Sequence, residues 1–422
     1  MPSAENTQTD STAVDAATEA PGRSGWPVRA GRAWSRRRLA VFAIMLTYGI
    51  GLSSWVVRTP AVRDLVHAST AEMGLILLGL SVGSMSGVVL SAPLVRRHGV
   101  RPIVLFGGGS FAVGLALVGA AAGLSSAPLV FAGLALVGWG MGLSEIAVNV
   151  EGAALEAEAG RSVLPALHGS FSLGTVVGAA AGIGLTAIDF PVIWQLLGVA
   201  AVGGAVLAVV IRFVPAETGR VPAEARRRPG ANTRRARPML LTQPRLVLLG
   251  VIVLALALAE GSATDWLPLL MVDGHGASAT AGTVVYAGFA AAMTLGRFSG
   301  GLLLSQFGKA AVLRASTLVS AAGIAVMIFA GDPVLAGSGV ALWGLGAALG
   351  FPVTISAAAD VGDGDPTAAV ASVATAGYIA FLVGPPVLGF IGQVASLRGA
   401  MIVVLVIVAA ASLLTSAAKP PK

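Results

Sequence analysis

The sequence predicts an all-α membrane protein, with twelve transmembrane helices in two pseudo-symmetric six-helix bundles. Three observations carry that prediction. The 422 residues are 55% hydrophobic and 11% charged, less than half the charge of an average soluble domain, about 25%. The apolar residues fall into twelve stretches of about 20, the length that crosses a bilayer. The basic residues gather in alternate loops between those stretches.

The first six stretches cover roughly 39–59, 73–95, 102–123, 127–149, 164–187 and 190–212. The second six cover roughly 246–269, 281–303, 311–331, 334–356, 367–391 and 398–417. The run from Pro102 to Ser144 holds no charge and is long enough for two spans, with GLSSAP (123–128) as the turn between them. Gly is abundant, at 56 residues, which suits close helix contact in lipid. With no cysteine, disulfides and thiolate metal sites are excluded.

With the N-terminus placed in the cytoplasm, 23 of the 27 Lys and Arg fall on the inner side. Arg58, Arg63 and Arg398 fall outside, and Arg297 lies within a span. This asymmetry obeys the positive-inside rule and predicts a multi-pass protein of the cytoplasmic membrane with both termini inside. The formal charge of +7 is then a topology signal, and no nucleic-acid partner is expected. Residues 1–38 are polar, acidic first and basic later, and are expected to be a disordered tail. SRRRLAVF (35–42) looks like a twin-arginine export signal, but the apolar run after it is long, lacks an A-x-A-like site and is followed by eleven more. The Pro- and Arg-rich stretch 214–245 is the longest inner loop. It divides the chain into a six-helix unit at 39–213 and a second at 246–418.

The halves resemble each other. SAPLVRRHGVR (91–101) and GLLLSQFGKAAVLR (301–314) follow the second and eighth stretches. Aligning Gly99 with Gly308, an offset of 209, also pairs Gly87 with Gly296. GWGMG (138–142) in the fourth stretch and LWGLG (342–346) in the tenth match at an offset of 204. Ordered repeats of this kind indicate a duplicated half, and in such folds a ligand site lies near the midplane between the repeats.

The short basic loop after the second stretch resembles the loop motif of the major facilitator superfamily. Arg97, Gly99 and Arg101 match it in the first copy, and Gly301, Gly308 and Lys309 in the second; Arg96 stands where the motif has Asp. With twelve spans and a long central loop, the resemblance covers about 39–417 and implies the major facilitator fold. It also implies a gating role for Arg97, Gly99, Arg101, Gly308 and Lys309. LSEIAVNVEG (143–152) followed by LPALHGSFSLG (164–174) is similar to the fourth and fifth spans of the fucose–proton symporter family and its uncharacterised bacterial relatives. In those symporters a Glu followed four residues later by Asn holds proton and substrate, and Glu145 and Asn149 match. They also use an Asp in the first span, whereas YGIGLSSWVVRTP (48–60) has no carboxylate.

Glu145 and Asn149, four apart, share a helix face. Desolvation disfavours the charged form of a carboxylate, so an acid inside a span can trade a proton near neutral pH. Alternatively the span ends early and both groups meet the headgroups. Glu151, Glu156 and Glu158 read as solvated loop charges. In the seventh stretch Glu260 is the best-centred acid, with Thr264 on its face; its alternative is a helix–helix hydrogen bond. Asp265 reads either as an outer gate or as a wet boundary residue. Trp55 and Trp266 are candidates for substrate stacking or for the interfacial aromatic belt. Arg297 can pair with an acid, bind an anionic solute or snorkel to the interface. His168 can relay a proton or serve structure. Arg58 and Arg63 flank the outer end of the first span and read as solvated.

No G-x-x-x-x-G-K-[ST], H-E-x-x-H or G-x-S-x-G occurs, and no soluble region is large enough for an enzyme. No enzyme activity, cofactor or metal is expected, and a proton gradient is the expected energy source. The expected partners are a small solute and the lipid bilayer, and the chain is expected to act as a monomer. The expected function is secondary active transport of a small polar solute by alternating access. Proton-driven drug or metabolite efflux, an uncoupled facilitator and a non-transporting sensor with the same fold are the alternatives.

Overall fold

The structure is a computed structural model of the chain and describes residues 28–159, 163–222, 243–361 and 366–419. These residues are almost entirely helical, with no strand among them. Ten helical segments are long and apolar enough to cross a membrane. Two of them, Ala279–Phe329 and the one beginning at Pro366, leave helical geometry at Gly308 and at Ser396. Each is therefore two spans, which gives the twelve that the sequence predicts.

The expected spans fall where the helices lie, with differences at the ends. The first helix begins at Val28, inside the segment expected to be a disordered tail; residues 1–27 lie outside the described residues. The second and third spans are Thr70–His98 and Val100–Gly123. The fourth runs Ala127–Ala159, ten residues past its expected end. The fifth is Leu164–Ala187, and the sixth is Val192–Val210 closed by a 3-10 turn at Ile211–Phe213. The seventh, Pro244–Leu269, ends in a π-turn, Leu270–Gly274. The tenth is broken into Pro333–Ala347 and Gly350–Val361. A short helix at Thr59–Leu65, opened by Pro60, was not expected; proline suits the first turn of a helix, where its missing N–H has no partner to lose. Residues 223–242, the core of the expected central loop, lie outside the described residues.

The duplication predicted from sequence is present in the backbone. Gly99 and Gly308 each turn the chain between two spans, with φ/ψ of 84°/173° and 73°/166°. This conformation is open to Gly and hostile to residues with a Cβ. Gly87 lies against Trp139 and Leu143, and Gly296 against Leu345 and Ala348. One alignment is corrected. Gly140 packs on Gly107 and Phe111, whereas Gly346 packs on Ser316 and Ser320. Likewise Gly138 packs on Leu80, and Gly344 on Phe289. The fourth and tenth spans therefore correspond at an offset of 206, not 204, because the contacts they make on the neighbouring spans repeat at 209. The letters WG matched two residues out of register.

In the first half the fourth span packs against the second and third, and the first against the fifth and sixth. In the second half the tenth packs against the eighth and ninth, and the seventh against the eleventh and twelfth. Small residues at these crossings let the backbones approach, and packing stands in for the hydrophobic drive that lipid does not supply. The halves meet where the second span touches the eleventh and the fifth touches the eighth. Four side-chain hydrogen bonds among the described residues join them. Two crowd the end opposite the chain termini, Arg63 to Asp273 and the Ala71 N–H to Gln393 (3.3 Å), and a third, Ser81 Oγ to the Phe381 carbonyl (2.8 Å), lies deeper along the same spans. At the same end Gly74 lies against Pro385 and Gly389. The molecule is closed there.

Candidate functional site

Glu145 has 14 residues of helix beyond it, to Ala159. The helix therefore does not end at Glu145, and Asn149 lies within it one turn further on. Glu145 is half-buried and has no hydrogen bond or ion pair among the described residues. Its neighbour Ser144 is buried and accepts a hydrogen bond from Tyr48 in the first span (2.6 Å), which pins the two spans together beside it. Asn149, one turn along, has a buried Oδ1 with no partner. Two acceptors on one face thus stand without donors.

Glu260 does have a partner. Arg297 Nη2 donates to its Oε1 at 2.9 Å, joining the seventh and eighth spans. The same guanidinium reaches across to Ser172 in the fifth span at 3.4 Å. The side chains of Arg297 and Glu260 remain 34% and 20% exposed, so space the size of solvent reaches them. The snorkelling reading of Arg297 gives way to the pairing one, because the eighth span continues to Gly308 and a carboxylate lies within reach. Thr264 shares the Glu260 face and spends its hydroxyl on the Glu260 carbonyl (3.2 Å). His168 is exposed and lies within electrostatic reach of Arg297. Tyr378, from the eleventh span, lies within electrostatic range of Glu145.

These groups share a depth. At a helical rise of 1.5 Å per residue, Glu145, Arg297, Ser172 and Tyr378 each lie about 22–27 Å from the end of their own helix opposite the termini, and Glu260 lies about 14 Å from Leu269, or about 21 Å from the close of the π-turn at Gly274. Spans of both halves therefore bring one unpaired carboxylate, one ion pair and a phenol into one central layer. Sequence reasoning missed Tyr378 and Ser172. Tyr378 carried a signal, as one of only three tyrosines in the chain and in mid-span; Ser172 carried none.

Other candidates are placed differently. Asp265 is 9% exposed, with Tyr286 as its titratable neighbour, so the wet-boundary reading fails. Trp55 and Trp266 are each 1% exposed. They are packed among helices rather than in an interfacial belt, and neither offers a ring face to open space in this conformation. Trp266 touches Gly389, where the halves close. Arg58 is buried and bonded to Gln195, not solvated, because the sixth span folds back over the end of the first. Glu151 and Glu158 are helical rather than loop residues and share Arg37; the Arg37–Glu158 pair is 2.5 Å, and Glu151 is fully buried. Glu156 is likewise helical and accepts from the Val163 N–H (2.8 Å).

Of the expected gating loop, Arg97 is exposed, Arg101 is half-buried and Gly99 makes the turn. The loop is held by backbone bonds to the segment after the sixth span: Val100 N–H to Thr218 O (3.0 Å) and Val221 N–H to Arg96 O (2.9 Å). Beside Gly308, Lys309 pairs with Asp360 (2.5 Å) and caps the Ser356 carbonyl (3.1 Å). Among the described residues no three His, Cys, Asp or Glu side chains converge as a metal site would.

Known proteins share this fold. The family model of the Major Facilitator Superfamily matches residues 39–360 and again 266–422. An uncharacterized MFS-type transporter of Yersinia pestis is 30% identical over 369 residues, covering 86% of this chain and 90% of its own. Among solved structures, a mutant form of the nucleoside transporter NupG superposes with a TM-score of 0.72 at 12% identity, over 92% of this chain and 99% of that one. The transporter FucP in its outward conformation gives 0.62 at 16%, over 92% and 100%. Both share the fold. With twelve spans, an internal duplication and a family match along nearly the whole chain, this is a multi-pass membrane protein of the Major Facilitator Superfamily.

Proposed function

We propose that this transporter carries a small polar solute across the cytoplasmic membrane by alternating access, and that Glu145 couples the movement to protons. The observation that carries the reading is the contrast between the two central acids. Glu260 has a fixed cation, Arg297, at 2.9 Å. Glu145 has none, yet sits in the middle of a span, where an ionised carboxylate without a partner is costly. It needs a proton or a bound ligand, and exchanging one for the other is coupling. Asn149 beside it supplies a second acceptor for a hydroxyl or amine of the solute.

Sidedness follows from charge. With the basic end in the cytoplasm, the Arg63–Asp273 end faces outside, and the central layer in this conformation is entered from inside. The two halves then rock about the central layer, opening the contacts between Gly74 and Gly389 while closing the other end.

The test is substrate-dependent proton flux in proteoliposomes, screening sugars, sugar acids and small metabolites, with Glu145→Gln and Glu260→Gln beside wild type. Glu145→Gln should exchange or bind solute without moving protons, and its uptake should lose its pH dependence. Proton flux that survives in Glu145→Gln and disappears in Glu260→Gln would reverse the assignment.

A further inference from the structure

We propose that the basic end of the first and sixth spans forms a seat for the phosphate headgroup of an anionic phospholipid, built from Arg36, Arg38 and Arg212 on an aromatic base of Phe213 and Trp34. Two guanidinium groups share one ring. Arg36 lies 5.8 Å and Arg212 4.9 Å from the centre of Phe213, and Arg38 lies 4.9 Å from the centre of Trp34. The rings hold the guanidinium planes in place by cation–π attraction, but nothing in that attraction offsets the repulsion between two cations drawn to one ring. An anion bound between them does.

Among the described residues no carboxylate supplies that anion. Arg37, in the middle of the run, turns inward and takes both nearby acids, Glu151 and Glu158. Among the described residues Arg36, Arg38 and Arg212 have no carboxylate partner, and Arg36 and Arg212 are exposed. The first and sixth spans pack together at this corner. Only 22% of the sixth span's apolar stretch is buried within the protein, the lowest share among the ten apolar helical segments, so lipid covers most of it. Phe213 and Arg212 close that span, and basic and aromatic residues at a span's end suit the interface. Arginine offers a planar, multidentate match to phosphate, and the acyl chains would lie along the exposed sixth span. The arginine run, which resembles an export signal only in its letters, is thereby given a structural use.

The test uses full-length protein in detergent, titrated with phosphatidylglycerol or phosphatidylcholine and read by native mass spectrometry. Wild type should retain phosphatidylglycerol over phosphatidylcholine. Arg36→Gln/Arg38→Gln/Arg212→Gln should lose about fivefold in affinity for each charge removed. Phe213→Leu, which keeps every charge but removes the ring, should lose part of that preference. A control, Arg96→Gln/Arg97→Gln/Arg101→Gln, removes three charges from the same end of the molecule and should leave retention unchanged. Size-exclusion and melting profiles confirm that each variant is folded. Equal retention by wild type and the first triple variant overturns the proposal. So does an equal loss in the control, which would make the effect one of total charge.

Discussion

The Arg297–Glu260 pair allows its contribution to be worked from geometry. The groups are 2.9 Å apart, N to O, and keep 34% and 20% of their side-chain surface. Unit charges about 4 Å apart attract by about 4 kcal/mol at an effective dielectric constant near 20, and the loss of hydration offsets much of this. Fully exposed pairs are worth about 0.2–1 kcal/mol, and breaking a fully buried pair costs about 3–5 kcal/mol. With intermediate exposure, Arg297→Gln and Glu260→Gln should each destabilise the protein by about 2 kcal/mol, since each strands its partner's charge inside the bundle. The double variant should lose less than the two together, with a coupling of about 1–2 kcal/mol. Unfolding of the four proteins in one detergent, followed by circular dichroism, closes the double-mutant cycle. Additive losses would refute the reasoning and leave both residues as independent packing groups. Arg297→Lys should recover part of the stability, because it restores charge without the guanidinium fork that also reaches Ser172.

Three further outcomes are expected. Arg37→Gln removes the cation paired with buried Glu151 and should cost about 3 kcal/mol, measured by the same unfolding; an unchanged midpoint would mean that Glu151 tolerates burial without Arg37. A methyl group at Gly344 would stand 2.7 Å from the Phe289 carbonyl, and one at Gly138 would run into the Leu80 carbonyl, whereas one at Gly109 meets nothing within 4 Å; Gly344→Ala and Gly138→Ala should lose about 1–3 kcal/mol and Gly109→Ala should gain up to about 1 kcal/mol, and equal stability of all three would contradict the repeat contacts. Because the chain has no cysteine, Arg63→Cys/Asp273→Cys gives a clean pair for a short bifunctional thiol reagent; cross-linking should arrest transport, and continued transport by fully cross-linked protein would show that this end need not open.

Much of the fold was legible because the bilayer imposes a simple rule. A span must be long, apolar and internally hydrogen-bonded, so helix positions and the six-plus-six plan follow from composition along the chain. Helix ends were less legible. The fourth span continues ten residues past its last expected position because Arg37, 114 positions earlier in sequence, neutralises Glu151 and lets helix persist where charge suggested a loop. The repeat was legible at Gly99 and Gly308, where one backbone conformation demands glycine. It was misread at GWGMG, where residue identity and contact register diverge.

For the candidate site, the sequence by itself determined which polar groups lie inside spans, since a charge in an apolar run stands out without any knowledge of its neighbours. Glu145, Asn149, Glu260, Asp265 and Arg297 all came from that contrast. Only the tertiary structure decided which of them have partners. Arg297 meets Glu260 from another helix, Asp265 is buried, and Trp55 and Trp266 face into packing. Glu145 has no ion-pair partner among the described residues, because Arg297, at a similar depth, is engaged by Glu260 and Ser172. Pairing depends on distances between segments far apart in the chain, and helix periodicity along any one of them carries no information about the others.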